Sequence, residues 1–573
     1  MRGINWKGKY FLIPQAASVV DASALNQVAL GASGRLVIMG EMIGLVAPKT
    51  VKKIGSPSEG LALIHPDAEE ARAAIRKAFD PAKGLTGASD VYLVPVNPAL
   101  QASLILDAKV KLTAYIYGLP SNTIRAKVEA GSIVGKKVTV DFQGEPEVFD
   151  NIAKKSLTIQ YTGAGTASVV DITAASLAIT TTGGAAGETL TLDFATYKTL
   201  QQIADALDAI GTFDVTIESS SPIDLGADLD FVVASAIKAA PVTFNSDLAA
   251  MVATINQSSG YVSAEKQAGV GTVPVNSDWT FLAGGVNGVT VNQDWQDAFD
   301  VLKGTYIDFI APLTSDASLH TMLSAHLKYM SGFEGKSERR GFVGGPLLAW
   351  NSEAARTANV AALKLAAKNL NDDRIVHAAL GCKDYDENGD VKLYPAYITA
   401  VAYAGIAAGN EVQMPLTRKY LNIIGLEAEL RVSEIKDLIA SGLAVPVPDK
   451  VRGAGFYISR QITTWLMNDN DYRIEFSVGR GADYIAAEVR KRHDEMVGNA
   501  GDLGTDQTML NITNAVLAVA LREGIIDSFD PKKTQIRVDG TVRYVDYSAA
   551  PVLPINFIFG TYHLEPTVRT IQL

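Results

Sequence analysis

Residues Pro395–Asn410 read PAYITAVAYAGIAAGN, a stretch without a single charged side chain. Its alanines and glycines permit close backbone approach, so Pro395–Ala408 reads as a small-residue helix. Upstream, Ser352–Leu370 is a clearer helix, with Ser352 as cap and Ala355, Ala358, Ala362, Leu365 and Ala366 near one face. Gln293–Leu302 and Ser318–Met330 read as further helices. Leu36–Met39 and Val91–Val94 are short apolar runs of buried-strand type, with a helix over Ala68–Phe79 between them. This alternation of helices and apolar strands argues for an α/β core.

Downstream the elements become more specific. Leu421–Leu426 is apolar, and Ser433–Ser441 (SEIKDLIAS) reads as a short helix with Ser433 as cap and Gly442 as stop. Gly455–Thr464 and Arg473–Val478 read as strands, the second alternating Ile474, Phe476 and Val478 with polar residues. Gly479-Arg480-Gly481 then opens a helix, Ala482–Val497, with Ile485, Ala486, Val489 and Met496 on its apolar side. Thr505–Glu523 is another amphipathic helix, closed by Gly524. Asp539-Gly540 lies between two alternating runs, Thr534–Val538 and Thr541–Val545, and marks a hairpin.

At 573 residues the chain is long enough for three to four domains, and a hydrophobic fraction of 47% excludes a disordered chain. The net charge is −11, so general binding to a phosphate backbone is not expected. That charge is uneven. Ser156–Gly288 holds Lys198, Lys238 and Lys266 against 13 acidic residues, whereas the remainder holds 48 basic and 49 acidic residues. The acidic segment is rich in Thr, Ser, Ala and Gly. Leu157–Tyr161 and Leu190–Phe194 read as strands and Tyr197–Ile210 as a helix, which makes it an α+β insertion into the core. The single cysteine, Cys382, excludes an intramolecular disulfide and any multi-cysteine zinc site. No run resembles a membrane span or signal peptide, so a reducing cytoplasm is the expected site of folding.

Motifs that suggest enzymatic chemistry fail on spacing. Gly335-Lys336-Ser337 resembles the end of a phosphate loop, but Met330 stands where the first glycine belongs, and a solvated turn before Arg339-Arg340 is the better reading. Asp384, Asp386, Asn388, Gly389 and Asp390 look like half of a calcium loop, yet Pro395 replaces the bidentate glutamate. Asn388-Gly389 is better read as a hairpin turn. The six histidines, His65, His320, His326, His377, His493 and His563, form no i,i+4 pair or metalloprotease pattern. We expect no catalytic constellation, no metal and no cofactor.

The ordered set of C-terminal features resembles the tail sheath proteins of contractile-tailed bacteriophages and related contractile injection systems. The stretches that carry it are Ala404–Asn410, the Gly425/Glu434/Leu438/Gly442 spacing, Ile462-Thr463-Thr464, Ser477–Arg492 and the helix ending at Gly524. Asn122–Val128 followed by Gly135–Val140 resembles the start of the family's inserted β-rich region. The resemblance implies a multidomain α/β and α+β chain: a sheath core over 26–108 and 289–550, linking arms at 1–25 and 551–573, the start of the β-rich insertion over 109–155, and an outward-facing acidic insertion over 156–288. It implies a structural subunit, not an enzyme, that forms stacked sixfold rings around a tail tube and contracts to drive the tube through the host envelope. Its partners would be other copies of itself, the tail tube protein, and baseplate and tail terminator proteins, with no nucleic acid and no membrane insertion. It would reside in the virion after assembly in the host cytoplasm.

On this reading Lys9, Tyr10, Phe11, Leu12 and Ile13, without an obvious local partner, add a strand to a neighbour. Ile555, Phe557, Phe559, Val568 and Ile571 do so at the other end. Arg490, Lys491 and Arg492 would face the tube or a neighbouring subunit. Internal i,i+4 pairing with Asp483, Glu488, Asp494 and Glu495 is the alternative for these cations. Another self-assembling protein, such as a bacteriocin or secretion-system sheath, a capsid or a surface layer, is the rival function.

Overall fold

The apolar runs Leu36–Met39 and Val91–Val94 lie side by side, within the parallel strands Arg35–Gly40 and Asp90–Pro95. A computed structural model of the chain describes residues 34–218, 223–450 and 455–561, together with the short strands Ile4–Trp6 and Lys9–Phe11. The two central strands belong to a seven-stranded sheet. Its order is Leu443–Ala444, Ile375–Ala378, Arg340–Gly344, Phe309–Pro312, Arg35–Gly40, Asp90–Pro95 and Lys52–Ile54. Every pairing is parallel except that of the edge strand Lys52–Ile54. Strands covered on both faces need no polar alternation, which is why they read as continuous apolar runs.

Helices Ala396–Gly409 and Glu69–Phe79 cover one face; Asn292–Leu302 and Ala317–Met330 cover the other. All residues from Ala396 to Ala408 are buried. A Cβ at Gly405 would come within 2.7 Å of the Ala78 carbonyl, and one at Gly344 within 2.2 Å of the Ala396 backbone. Small residues therefore set the distance from this helix to its neighbours on two sides.

The acidic stretch divides between two further cores. Residues Leu157 to Phe244 enclose one of them, built from two antiparallel sheets and the helix Leu200–Asp208. Helix Asp247–Ser258 and strands Val262–Lys266 and Ser277–Phe281 instead pack with strands drawn from Gln101–Ile152. The inner unit is entered and left at one place, where the Ser246 amide donates to the Lys154 carbonyl at 2.8 Å and the Ser156 hydroxyl meets that of Ser246 at 2.8 Å. There the Asp230 carboxylate accepts from the amides of Asp247 (2.9 Å) and Leu248 (3.2 Å), the first turn of a helix. Burial still pushes its pKa up to about 6.

Several elements differ from the sequence reading. Arg473–Val478 is not a strand: Asp471–Ile474 and Phe476–Asp494 are helices, and Gly479-Arg480-Gly481 lies inside the second. Phe476 through Gly481 are all buried, so this first stretch shows no amphipathic period, and Phe476 and Val478 imitate strand alternation. Of Gly455–Thr464 only Phe456–Ile458 is a strand. Thr463 and Thr464 turn their hydroxyls to backbone instead, onto the carbonyls of Arg473 (2.6 Å) and Asp372 (3.1 Å).

Helix Val432–Ala440 starts before Ser433, with Glu434 accepting the Arg431 amide at 2.8 Å. Helix Glu353–Leu370 is capped by Ser352 as expected, but it buries Leu363 and Ala367 and leaves Ala358, Ala362 and Leu365 exposed. The Asp539-Gly540 hairpin forms with its turn one residue later. Asp539 pairs with Val542, and Gly540, at φ +58, takes the first turn position, where an L side chain would be strained. Lys9–Phe11 does have a local partner, the strand Ile4–Trp6, with Ile4 opposite Phe11. Three residues are too few to display alternation, so that partner was not legible.

Candidate assembly surface

Helix Phe476–Asp494 joins the core to a C-terminal unit, and its first turns explain how. Phe476 packs against Phe309 and Phe342, with ring centroids 6.0 and 5.2 Å away. Two turns on, Asp483 accepts from Arg340 at 2.8 Å and from Arg374 at 3.1 and 3.2 Å; these arginines begin one sheet strand and precede another. Gly479 makes room for this latch, since a Cβ there would stand 2.4 Å from the Arg340 guanidinium. Arg480 lies over the Phe309 ring and donates to the carbonyls of Glu411 (3.2 Å) and Asn410 (3.3 Å). Its desolvated guanidinium has its pKa lowered to about 10, and burial likewise raises that of nearby Asp308.

Between this helix and the starts of the sheet strands runs a cleft of about 800 Å³, walled by Arg35, Asp308, Arg340, Arg480, Asp483 and Arg490. Arg490 makes a two-pronged pair with Glu338 at 2.7 and 2.5 Å and donates to the Lys336 carbonyl at 3.0 Å. That hydrogen-bonded carboxylate raises the Arg490 pKa. The i,i+4 pairing considered from the sequence is thus replaced, for Arg490, by a partner on the turn before strand Arg340–Gly344. Lys491 and Arg492 are exposed and make no ion pair among the described residues.

Beyond the helix, Leu503–Arg522 and the paired strands Ile526–Phe529 and Ala549–Pro551 share a small core around Ile485, Val489, Leu517 and Ile526. The hairpin Gln535–Asp539/Val542–Asp546 forms a sheet of its own, with both outer edges unpaired among the described residues. After Pro551 the chain forms no helix or strand and makes no backbone hydrogen bond to a described residue as far as Thr561. It carries Ile555 at 80%, Phe557 at 70% and Phe559 at 93% exposure. Leu12, Ile13, Val568 and Ile571 lie outside the described residues, as does His563.

The remaining motifs are absorbed by the fold. Gly335–Ser337 is a turn whose neighbours Arg339 and Arg340 are buried. Asp386 spends its carboxylate on the amides of Asn388 and Asp390, both at 2.9 Å, within the hairpin Cys382–Tyr385/Val391–Tyr394. His320 and His377 are buried with their rings 6.1 Å apart, and His326 lies 3.0 Å from Arg339. Among the described residues no group of three or more His, Cys, Asp or Glu is placed to hold a metal ion. None of the described helices is long and apolar enough to cross a membrane.

As a whole the fold is similar to that of a sheath tail protein from Listeria innocua, known from its crystal structure. The two superpose with a TM-score of 0.55 at 17% identity, over 92% of this chain and 94% of that one. This is the tail sheath fold. The sequence is 28% identical to a tail sheath protein of Bacillus phage SP01, over 98% of this chain and 97% of that protein. It is 24% identical to a putative tail sheath protein of Enterococcus phage phiEF24C, over 82% and 83% of the two chains. No family model matches. The sheath resemblance therefore extends through the insertions, beyond the C-terminal features that first suggested it.

The sequence reading missed Glu338 and Arg374 and the roles of Arg340 and Asp483, the last considered only as a partner within its own helix; together they tie helix Phe476–Asp494 to the core. The pairing of Asp483 with Arg340 spans 143 positions, and such a pairing leaves no local pattern to detect.

Proposed function

We propose that the chain is the structural subunit of a contractile phage tail sheath. In this reading it polymerises as stacked sixfold rings around the tail tube, and it contracts to drive that tube through the host envelope. The observation that carries the reading is the segment Val552–Thr561, which forms no helix or strand and exposes its aromatics, together with a two-stranded hairpin whose outer edges are open among the described residues. An unpaired strand and an unpaired edge on one molecule favour exchange between copies, each completing the sheet of the next. The N-terminal strands Ile4–Trp6 and Lys9–Phe11 supply a second such edge; a hairpin this short is marginal alone and gains by joining a larger sheet. The work of contraction then comes from the difference between two packings of one lattice, and no covalent chemistry is required.

Lys491 and Arg492 are the cations free to meet the tube or a neighbour, while Arg490 holds the helix to its own core. The acidic inner unit faces outward. Baseplate and terminator proteins close the two ends of the polymer, which is assembled in the host cytoplasm and carried in the virion. Electron microscopy of the purified protein tests the reading: helical tubes of two diameters are expected, without any nucleotide. Deleting residues 1–17 should leave a folded monomer that forms no long tubes; normal tubes from that truncation would reject the N-terminal arm.

A further inference from the structure

We propose that Phe333 of one copy of this chain inserts into the apolar groove between helices Phe476–Asp494 and Leu503–Arg522 of another. The contact deepens the assembly reading, on which it rests, by joining the bodies of two copies. Phe333 stands on the turn between helix Ala317–Met330 and strand Arg340–Gly344, and it is 100% exposed. The turn is closed by its own hydrogen bonds. Lys336 donates its amide to the Gly332 carbonyl at 3.0 Å, Ser337 to that of Met330 at 2.8 Å, and Arg339 to the Ser331 hydroxyl at 3.0 Å. A Cβ on Gly335 would stand 2.3 Å from Met330, so the loop packs directly on the helix end. A phenylalanine held out in water by so fixed a frame is a pre-organised anchor, because its burial stabilises a contact without first ordering a loop.

The groove encloses about 290 Å³ and is walled by Tyr472, Val478, Ile485, Leu517, Ile526 and Tyr547, with no charged side chain in its lining. Its occupant is therefore apolar. A fully exposed Phe333 fills no cavity of its own chain, and the closed turn gives it no reach to one, so knob and groove meet only between copies. Charge favours the same occupant. Asp471, Asp527 and Asp546 adjoin the groove residues Tyr472, Ile526 and Tyr547; all three are exposed and make no ion pair among the described residues. Arg473, the other charged neighbour of Tyr472, is already held by Asp373 at 3.4 Å. Lys336, three residues after Phe333, is exposed and likewise has no ion pair among the described residues. Seating Phe333 brings this cation to the acidic rim. Glu334, beside Phe333, is the like charge that the contact must tolerate. Knob and groove lie at different places on one molecule, so the contact is heterologous and repeats from copy to copy into a ring or a helix.

Disulfide trapping tests the contact, since the only native cysteine, Cys382, is buried. Copies carrying Glu334→Cys on the turn are mixed with copies carrying Ala482→Cys on the groove wall and allowed to polymerise under mild oxidation. A disulfide joining the two kinds of copy is the expected result. Tubes that form without it would overturn the contact and leave the sheath reading intact; the disulfide without tubes would do the reverse. Neither tubes nor disulfide, from chains that melt as the unmodified protein does, would reject both. Capture of a Gly560→Cys copy by Ala482→Cys, with Glu334→Cys left free, would give the groove to the C-terminal segment and overturn the proposal. Two further substitutions give a readout that misfolding does not imitate. Phe333→Ala should raise the concentration needed for assembly by about tenfold or more. Glu334→Lys, which puts an attractive charge where a repulsive one stood, should lower it, with monomer melting unchanged in both. Thresholds equal to that of the unmodified chain would sink the contact.

Discussion

Buried imidazoles give the core its response to acid. Burial presses the pKa of His326 and of His377 down to about 3, against about 6.5 in an unfolded chain. Between those values the unfolded chain binds more protons, so this stabilisation is complete above pH 6.5 and declines as the pH falls towards 3. The expected slope is at most about 1.4 kcal/mol per pH unit for each histidine. Urea titrations from pH 7 to 4.5 should show it, and a His326→Gln/His377→Gln double variant should show a flatter profile. Asp230 acts with the opposite sign. Its carboxyl is raised from 3.8 to about 6, so its burial costs stability above pH 6 and the cost is relieved on acidification. Asp230→Asn should therefore stabilise the inner unit at pH 7.5 and have little effect at pH 4.5. Sterics are equally local at Gly344, where alanine would press on the backbone of the central helix. Gly344→Ala should cost on the order of 1–3 kcal/mol by chemical denaturation.

The helix Phe476–Asp494 shows what an element owes to its surroundings. Its C-terminal half reads correctly from sequence because one side faces solvent and the 3.6-residue period shows. Its first residues were read as the end of a strand because they are buried all round, with Phe476 between the rings of Phe309 and Phe342 and close to the arginines of the sheet. Asp483 is the anion that holds those arginines. Asp483→Asn should leave Arg340 and Arg374 short of a charge partner and cost about 3–5 kcal/mol. Limited proteolysis should then cut near residues 495–502 before the sheet is attacked; cleavage indistinguishable from the unmodified protein would remove the latch role. Helix Glu353–Leu370 makes the complementary point. Cap and length were legible, but alanines on several faces gave no way to tell which one the core would take, and Leu363 with Ala367 took it.

For the molecule as a whole, the inner acidic unit is attached where Lys154 and Ser246 are already hydrogen-bonded, and it has its own core. Replacing residues 155–245 with two glycines should leave a folded remainder with a cooperative melt and, in the sheath reading, tubes of reduced outer diameter in electron micrographs. Loss of folding would show that the unit is structurally required. The α/β core, the helix capped by Ser352 and the C-terminal hairpin were legible in the sequence, because burial on two faces, a capping side chain and turn residues are local signals. The resemblance to tail sheath proteins was legible for the same reason, from the order of such signals. The partner of Lys9–Phe11, the helical start at Phe476, the division of the acidic stretch and the Arg340–Asp483–Arg374 latch were decided only by the tertiary structure. Each depends on which distant surface an element meets, and short-range periodicity carries no record of that.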